Sequence, residues 1–246
     1  MIIRFLGTNG WHDTETGNTL SILIQTENEF VILDAGNGLY KIIRYIKGKK
    51  PIYLFLSHFH LDHIIGLHTL AKFNFSQGIS IYGPKGMKKV FDTVINSPYS
   101  IPIHRLKTKI RLYELNKRSP LPIKVKFKKL KHSSFCYGYR FNLEGKTISY
   151  CPDTGICTNL LTLAKSTDLL ITECSYRPGE RNKEWPHLNP QDSALVAKRA
   201  KAKRMVLVHF DPSRYKTFTE RSAAGKIARK IFKNTLIARD LMSINL

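Results

Sequence analysis

The segment Ser57-His58-Phe59-His60-Leu61-Asp62-His63 follows directly on an apolar run, Ile52–Leu56. Three imidazoles and a carboxylate therefore fall within six residues. A chain leaving a sheet edge points alternate side chains to one side, so His58 and His60 can share one ion. Asp62 and His63, where the chain turns into a helix, can reach a second. Both ligand types suit zinc, manganese or iron. A lone histidine is usually a surface or core residue, but this clustering points to a metal-binding rim at the end of a strand.

The rest of the chain supplies the sheet that such a rim needs. Ile2–Leu6, Leu20–Thr26, Phe30–Asp34, Ile52–Leu56 and Ile79–Tyr82 read as strands. So do Ile110–Leu115, Ile123–Leu130, Tyr137–Leu143, Thr147–Tyr150, Asp168–Thr172 and Met205–Val208. Helical spacing marks Gly38–Lys47, a segment beginning near Asp62, Lys85–Ile95, Asn159–Lys165, Pro190–Lys201 and Thr219–Phe232. Ser97–Arg105 reads as a proline-containing loop, and Leu236–Leu246 as one or two closing strands. No linker or internal repeat interrupts the pattern. Residues 1–246 thus read as a single α/β domain of sheets covered by helices.

Three further polar residues stand just past apolar strands, where binding groups gather: His132 after Ile123–Leu130, Asp153 after Thr147–Tyr150, and His209 after Met205–Val208. Taken with the histidine cluster, they complete a two-metal ligand set. The four cysteines, Cys136, Cys151, Cys157 and Cys174, form no CxxC pair and read as small core residues in a reducing compartment.

Charge is the other unusual feature. Forty Lys and Arg face eighteen Asp and Glu, a net charge of +22. The bases cluster in Lys41–Lys50, Arg105–Lys131 and Lys198–Arg204. Such a field attracts polyanions, nucleic acid first, although a lysine-rich composition alone would also produce it. No run approaches the about 18 apolar residues of a membrane span, and the start reads as a strand and not a signal peptide. A soluble, cytoplasmic protein without a membrane partner is expected. A homodimer is one assembly the sequence allows.

The HxHxDH segment and the contexts of His132, Asp153 and His209 resemble the metallo-β-lactamase superfamily. The resemblance runs from Asp34-Ala-Gly36 to His209. It implies a four-layer αββα sandwich with metals at one edge of the two sheets. It also implies that His58, His60 and His132 hold one divalent ion and that Asp62, His63 and His209 hold a second. Asp153 would bridge the two, and Asp34 would orient ligand histidines. The ions are expected to be zinc, with manganese or iron as alternatives. Two cations about 3.5–4 Å apart lower the pKa of a shared water toward neutrality, so hydroxide attack on the substrate is the expected chemistry, with Asp62 also orienting the hydroxide.

The stretch from His187-Leu-Asn-Pro-Gln-Asp to Val208-His209-Phe210 is similar to the phosphodiesterase branch that includes ribonuclease Z. That likeness implies His187 as the acid that protonates the leaving group and Glu173, in Thr172-Glu173-Cys-Ser-Tyr176, as its support. The chain departs from ribonuclease Z in two places. Only twenty residues separate His132 from Asp153, leaving no room for a long tRNA-clasping arm. The turn Gly7–Gly17 lacks that enzyme's basic PxKxRN pattern. His12, His68 and His104 fill no slot, although His12 could approach from the first loop.

The expected function is hydrolysis of a phosphodiester in nucleic acid or a nucleotide derivative, with RNA or DNA bound through basic surface. Trp11, Phe59, Tyr137 and Trp185 could stack bases if they line the cleft. The alternatives are a metal-dependent carboxylic ester, lactone or thioester hydrolase, and a non-enzymatic nucleic-acid-binding protein. An oxygen-reducing diiron role is disfavoured, since that branch carries glutamate where this chain has His60.

Overall fold

The computed structural model describes residues 1–116 and 119–246. Lys117 and Arg118, part of the basic Arg105–Lys131 stretch, lie outside the described residues. The strands in chain order are β1 (Ile2–Gly7), β2 (Ser21–Gln25), β3 (Phe30–Leu33), β4 (Ile52–Phe55), β5 (Ile79–Gly83), β6 (Ile110–Glu114) and β7 (Val125–Lys129). They continue with β8 (Tyr137–Leu143), β9 (Lys146–Cys151), β10 (Leu169–Glu173), β11 (Met205–Val208), β12 (Thr235–Ile237) and β13 (Ser243–Asn245). The α-helices are α1 (Leu61–Ile64), α2 (Met87–Val94), α3 (Thr158–Ala164), α4 (Pro190–Arg199) and α5 (Phe218–Ile231).

The chain divides into two compact units. One comprises Met1–Gly7, Asn18–Pro120 and Asp240–Leu246; the other comprises Thr8–Gly17 and Leu121–Arg239. The first unit carries a seven-stranded sheet in the order β13-β1-β2-β3-β4-β5-β6. Strands β3 to β6 run parallel, while β1 is antiparallel to both β2 and β13. Leu39, Ile42 and Ile46 pack with Leu54, Leu67, Leu70, Met87 and Phe91 in one buried cluster. The helix expected over Gly38–Lys47 is a 3-10 helix, Asn37–Arg44, and α1 passes into a second, Ile65–Lys72. Within the expected Ser97–Arg105 loop, Ile103–Arg105 also closes into a 3-10 turn. The apolar spacing was sound, but it cannot separate 3-10 from α winding over two turns.

The second unit carries a six-stranded sheet, β12-β11-β10-β9-β8-β7. Strands β9 to β12 are parallel, and β7-β8-β9 form an antiparallel meander. Leu160, Leu163, Ala194, Ala197, Phe210 and Ala224 belong to its buried cluster. Helix α4 begins with proline at its first position and Asn189 as its cap, whose side chain accepts from the Asp192 N–H. Helix α5 opens on a capping box between Thr217 and Glu220.

Each sheet therefore has a run of parallel strands. In parallel sheets, binding groups collect beyond the carboxyl ends of the strands. Asp34, Ser57 and His58 lie there in the first unit; Asp153, Ser175 and His209 lie there in the second. The two closing strands of the tail join different sheets: β12 pairs with β11 and β13 with β1. Cys136, Cys151 and Cys174 are buried and unbridged, as core cysteines should be, while Cys157 is half-buried. Among the described residues, no helix is long and apolar enough to cross a membrane.

Candidate metal centre

In the first unit, β3 and β4 are parallel neighbours with Leu33 opposite Phe55. That register brings Asp34 beside Ser57. The buried carboxylate of Asp34 accepts the Ser57 N–H at 2.6 Å and the Ser57 hydroxyl at 2.7 Å. It also accepts from His63 Nδ1 at 2.8 Å. Since the Ser57 hydroxyl proton goes to Asp34, its oxygen accepts from His58 Nδ1, 2.9 Å away. This pattern puts the proton on Nδ1 of both His58 and His63, so Nε2 is the atom each ring could offer to an ion.

The His58 ring centroid lies 4.5 Å from that of His60 and 4.2 Å from that of His63. His63 Nε2 is 3.6 Å from Asp62 Oδ2. The turn carrying Asp62 lies tight against the Asp34–Gly36 segment. Ala35 N–H donates to His63 O at 2.8 Å, and Gly66 N–H donates to Ala35 O at 2.8 Å. A Cβ on Gly36 would sit 2.4 Å from Asp62 O, and one on Gly66 would sit 2.1 Å from Gly36 O, so both positions require glycine.

In the second unit the same device recurs. The Ser175 hydroxyl donates to the backbone oxygen of His209 at 3.0 Å, and its oxygen accepts from His209 Nδ1 at 2.9 Å. His209 reaches this position with a left-handed backbone, φ 55. Its Nε2 is 3.2 Å from Asp153 Oδ1, while His132 Nε2 is 3.7 Å from Asp153 Oδ2. Each oxygen of Asp153 thus faces a different imidazole, as a bridging carboxylate would. His187 Nδ1 donates to both oxygens of the buried Glu173, at 2.8 and 2.9 Å. Asp153, His187 and His209 each offer one ligand atom within 4.8 Å of the others.

The donor sets fit divalent ions. Ligands about 2.1 Å from one tetrahedral zinc stand roughly 3.4 Å apart. The spacings of 3.2, 3.6 and 3.7 Å fall around that value and mostly exceed an ordinary hydrogen bond. Sequence reasoning did not assign roles to Ser57 and Ser175. The available signal was a hydroxyl two positions beyond a strand end, next to His58 in one case and two residues after Glu173 in the other. His12, His68 and His104 are all exposed, and none belongs to either ligand set.

Residues 30–210 match the beta-lactamase superfamily domain. The chain belongs to this superfamily. The ribonuclease Z of Lacticaseibacillus casei (strain BL23) is 26% identical over 307 aligned residues, covering 100% of this chain and 95% of that protein. Among solved structures, the metallo-beta-lactamase fold protein YhfI from Bacillus subtilis is 22% identical with a TM-score of 0.80, covering 99% of this chain and 98% of that one. Human tRNase Z, short form, is also 22% identical, with a TM-score of 0.77 and coverage of 100% and 99%. These two likenesses carry the fold, which is that of the metallo-β-lactamases. Within the superfamily the chain falls in the ribonuclease Z-like branch of metal-dependent hydrolases.

Proposed function

We propose that residues 1–246 form one hydrolase domain that cleaves phosphodiesters in nucleic acid or in a nucleotide-derived substrate. The observation that carries this reading is the His187–Glu173 pair beside Asp153 and His209. A phosphodiester with an alkoxide leaving group needs a proton at the departing oxygen. With Nδ1 held by Glu173, His187 can supply that proton from Nε2. The curated relatives named ribonuclease Z support the substrate class.

His58, His60 and His132 would bind one ion; Asp62, His63 and His209 the other; Asp153 would bridge. When bound, the ions would supply a nucleophilic hydroxide near neutral pH and neutralise charge on the phosphoryl oxygens. Asp34, Ser57 and Ser175 hold the imidazoles in their ligating tautomer, and Asp62 orients the attacking oxygen. Zinc suits the nitrogen-rich set, and manganese and iron are the alternatives.

A smaller diester is the variant favoured by one observation. The residues between His132 and Asp153 are used up by the β8–β9 hairpin, with Glu144-Gly145 as its turn. No arm for clasping a large RNA can branch there.

The test is to load the purified chain with zinc or manganese, count bound metal, and assay structured RNA, 2′,3′-cyclic nucleotides and bis(p-nitrophenyl) phosphate. His60→Ala should abolish turnover of whichever is cleaved. RNA turnover that falls steeply between 50 and 200 mM salt marks a polymer substrate, whereas a small diester changes little. Cleavage of a chromogenic lactone with none of these diesters would overturn the proposal.

A further inference from the structure

A pocket of about 250 Å³ opens beside His187 in the second unit, with Trp11, Trp185, Tyr176, Asn182 and Arg214 among its walls. We infer that this pocket holds the nucleobase on the leaving side of the scissile phosphate, stacked on Trp11 and Trp185. The inference rests on the proposed phosphodiesterase function and names the part of the substrate that His187 serves.

Trp11 carries the argument. It is 55% exposed, an unusual fate for so large an apolar ring, and it stacks on Trp185 with centroids 5.8 Å apart and planes 22° apart. Its backbone is left-handed, φ 59, a strained conformation for a bulky residue. Such strain persists only where the surroundings impose it, and it gathers at functional sites.

The surroundings here do impose it. Arg221, fully buried, donates to Asn9 Oδ1 at 2.5 Å and to Thr16 Oγ1 at 2.7 Å. The Asn9 amide in turn donates to His12 O, Thr14 Oγ1 and Gly17 O. The loop is thus rigid, and it displays a tryptophan.

Trp185 is fixed as firmly. Its backbone N–H donates to Asn182 Oδ1 at 3.1 Å, and its backbone carbonyl accepts the Tyr176 hydroxyl. Tyr176 meets the His187 ring edge-on at 5.5 Å. A base laid on this aromatic wall would therefore put its nucleoside within reach of the imidazole that protonates it.

The charged groups of the pocket are already committed to one another. Arg214 pairs with Glu180 and Asp211, leaving stacking as the dominant attraction. Stacking tolerates any base because each has a π-face. A pocket of this volume suits a base or nucleoside and is below the usual size for larger ligands.

The chain's two tryptophans are these two, so tryptophan emission, excited at the red edge where tyrosine does not absorb, reports on this pocket alone. Adenosine 5′-monophosphate and ribose 5-phosphate, which differ only in the base, are titrated against the full chain. Saturable quenching by the former and none by the latter is expected. Trp11→Ala should weaken adenosine 5′-monophosphate binding about 5- to 150-fold, while Trp11→Phe stays within a few-fold of wild type. Far-ultraviolet circular dichroism checks that both variants fold.

Equal responses to the two ligands, or binding indifferent to Trp11→Ala in a folded variant, overturn the inference. Trp11-dependent binding in a chain that hydrolyses no diester would instead overturn the functional reading and leave a nucleobase pocket standing.

Discussion

Glu173 holds His187 through both carboxylate oxygens, at 2.8 and 2.9 Å from Nδ1. The same carboxylate accepts the backbone N–H of Thr154 at 2.5 Å, so its position is fixed from two sides. The bidentate contact holds the Nδ1–H of His187 and leaves Nε2 as the atom that would carry the donated proton. His187→Ala should cost about 10²–10⁴ in kcat on a diester with an alkoxide leaving group. A p-nitrophenolate leaving group departs without help, so bis(p-nitrophenyl) phosphate should lose much less. Rates on the two substrates, compared in one variant, separate proton donation from metal binding: a missing ligand would lower both alike.

The Asp34 carboxylate accepts from the Ser57 N–H, the Ser57 hydroxyl and His63 Nδ1, contacts that together orient His58 and His63. Asp34 sits at φ 54, which asparagine also tolerates, so Asp34→Asn tests the carboxylate and not the backbone. Carboxylates behind ligand histidines are worth about 10–100-fold in metal affinity. Competition against a chromogenic chelator should show a loss of that size with the fold intact, whereas unchanged affinity would show that Ser57 and the backbone suffice.

Gly10 lies flat on the His209 ring. A Cβ there would be 2.5 Å from Cε1 and 2.8 Å from both ring nitrogens. The ring cannot retreat without breaking its contact with Ser175. Gly10→Ala should therefore lower the metal content of the folded protein, read by elemental analysis beside a thermal melt. Full metal occupancy in this variant would mean that the first loop yields instead of the ring.

Much of this was legible in the sequence, and the exceptions have physical causes. Apolar runs such as Tyr137–Leu143 and Met205–Val208 became strands with those bounds because burial on a sheet writes itself into local composition. The candidate metal segment His58–His63 could be singled out because its histidines lie within six residues of the chain. The roles of Ser57 and Ser175 could not, since each depends on which side chain a neighbouring strand brings near. Lys41 was counted in a basic stretch, yet it is buried, with Nζ 2.6 Å from both Leu6 O and Asp240 Oδ2. Its partner lies 199 positions away, beyond the reach of any local pattern. Trp11 could be named as a candidate for stacking, but its exposure and left-handed backbone needed coordinates.

Asp168 gives a prediction about stability that is independent of the metals. Its carboxylate accepts the Thr147 N–H and hydroxyl at 2.8 and 2.9 Å, and Lys203 Nζ lies 2.8 Å away. Burial alone would raise its pKa, but the hydrogen bonds from Lys203 and Thr147 outweigh that and lower it from 3.8 to about 2. A depressed folded-state pKa means stability that is present above the unfolded value near 4 and lost as pH falls through about 2. Asp168→Asn should therefore cost about 1 kcal/mol at neutral pH, where the carboxylate is charged, because water screens the contact with the largely exposed Lys203. The gap between variant and wild type should close as pH is lowered from about 4 to 2, because protonated aspartic acid and asparagine are both neutral. Urea unfolding of the two proteins at matched pH values measures the gap. A difference that stays constant down to pH 2 would assign the loss to packing and not to charge.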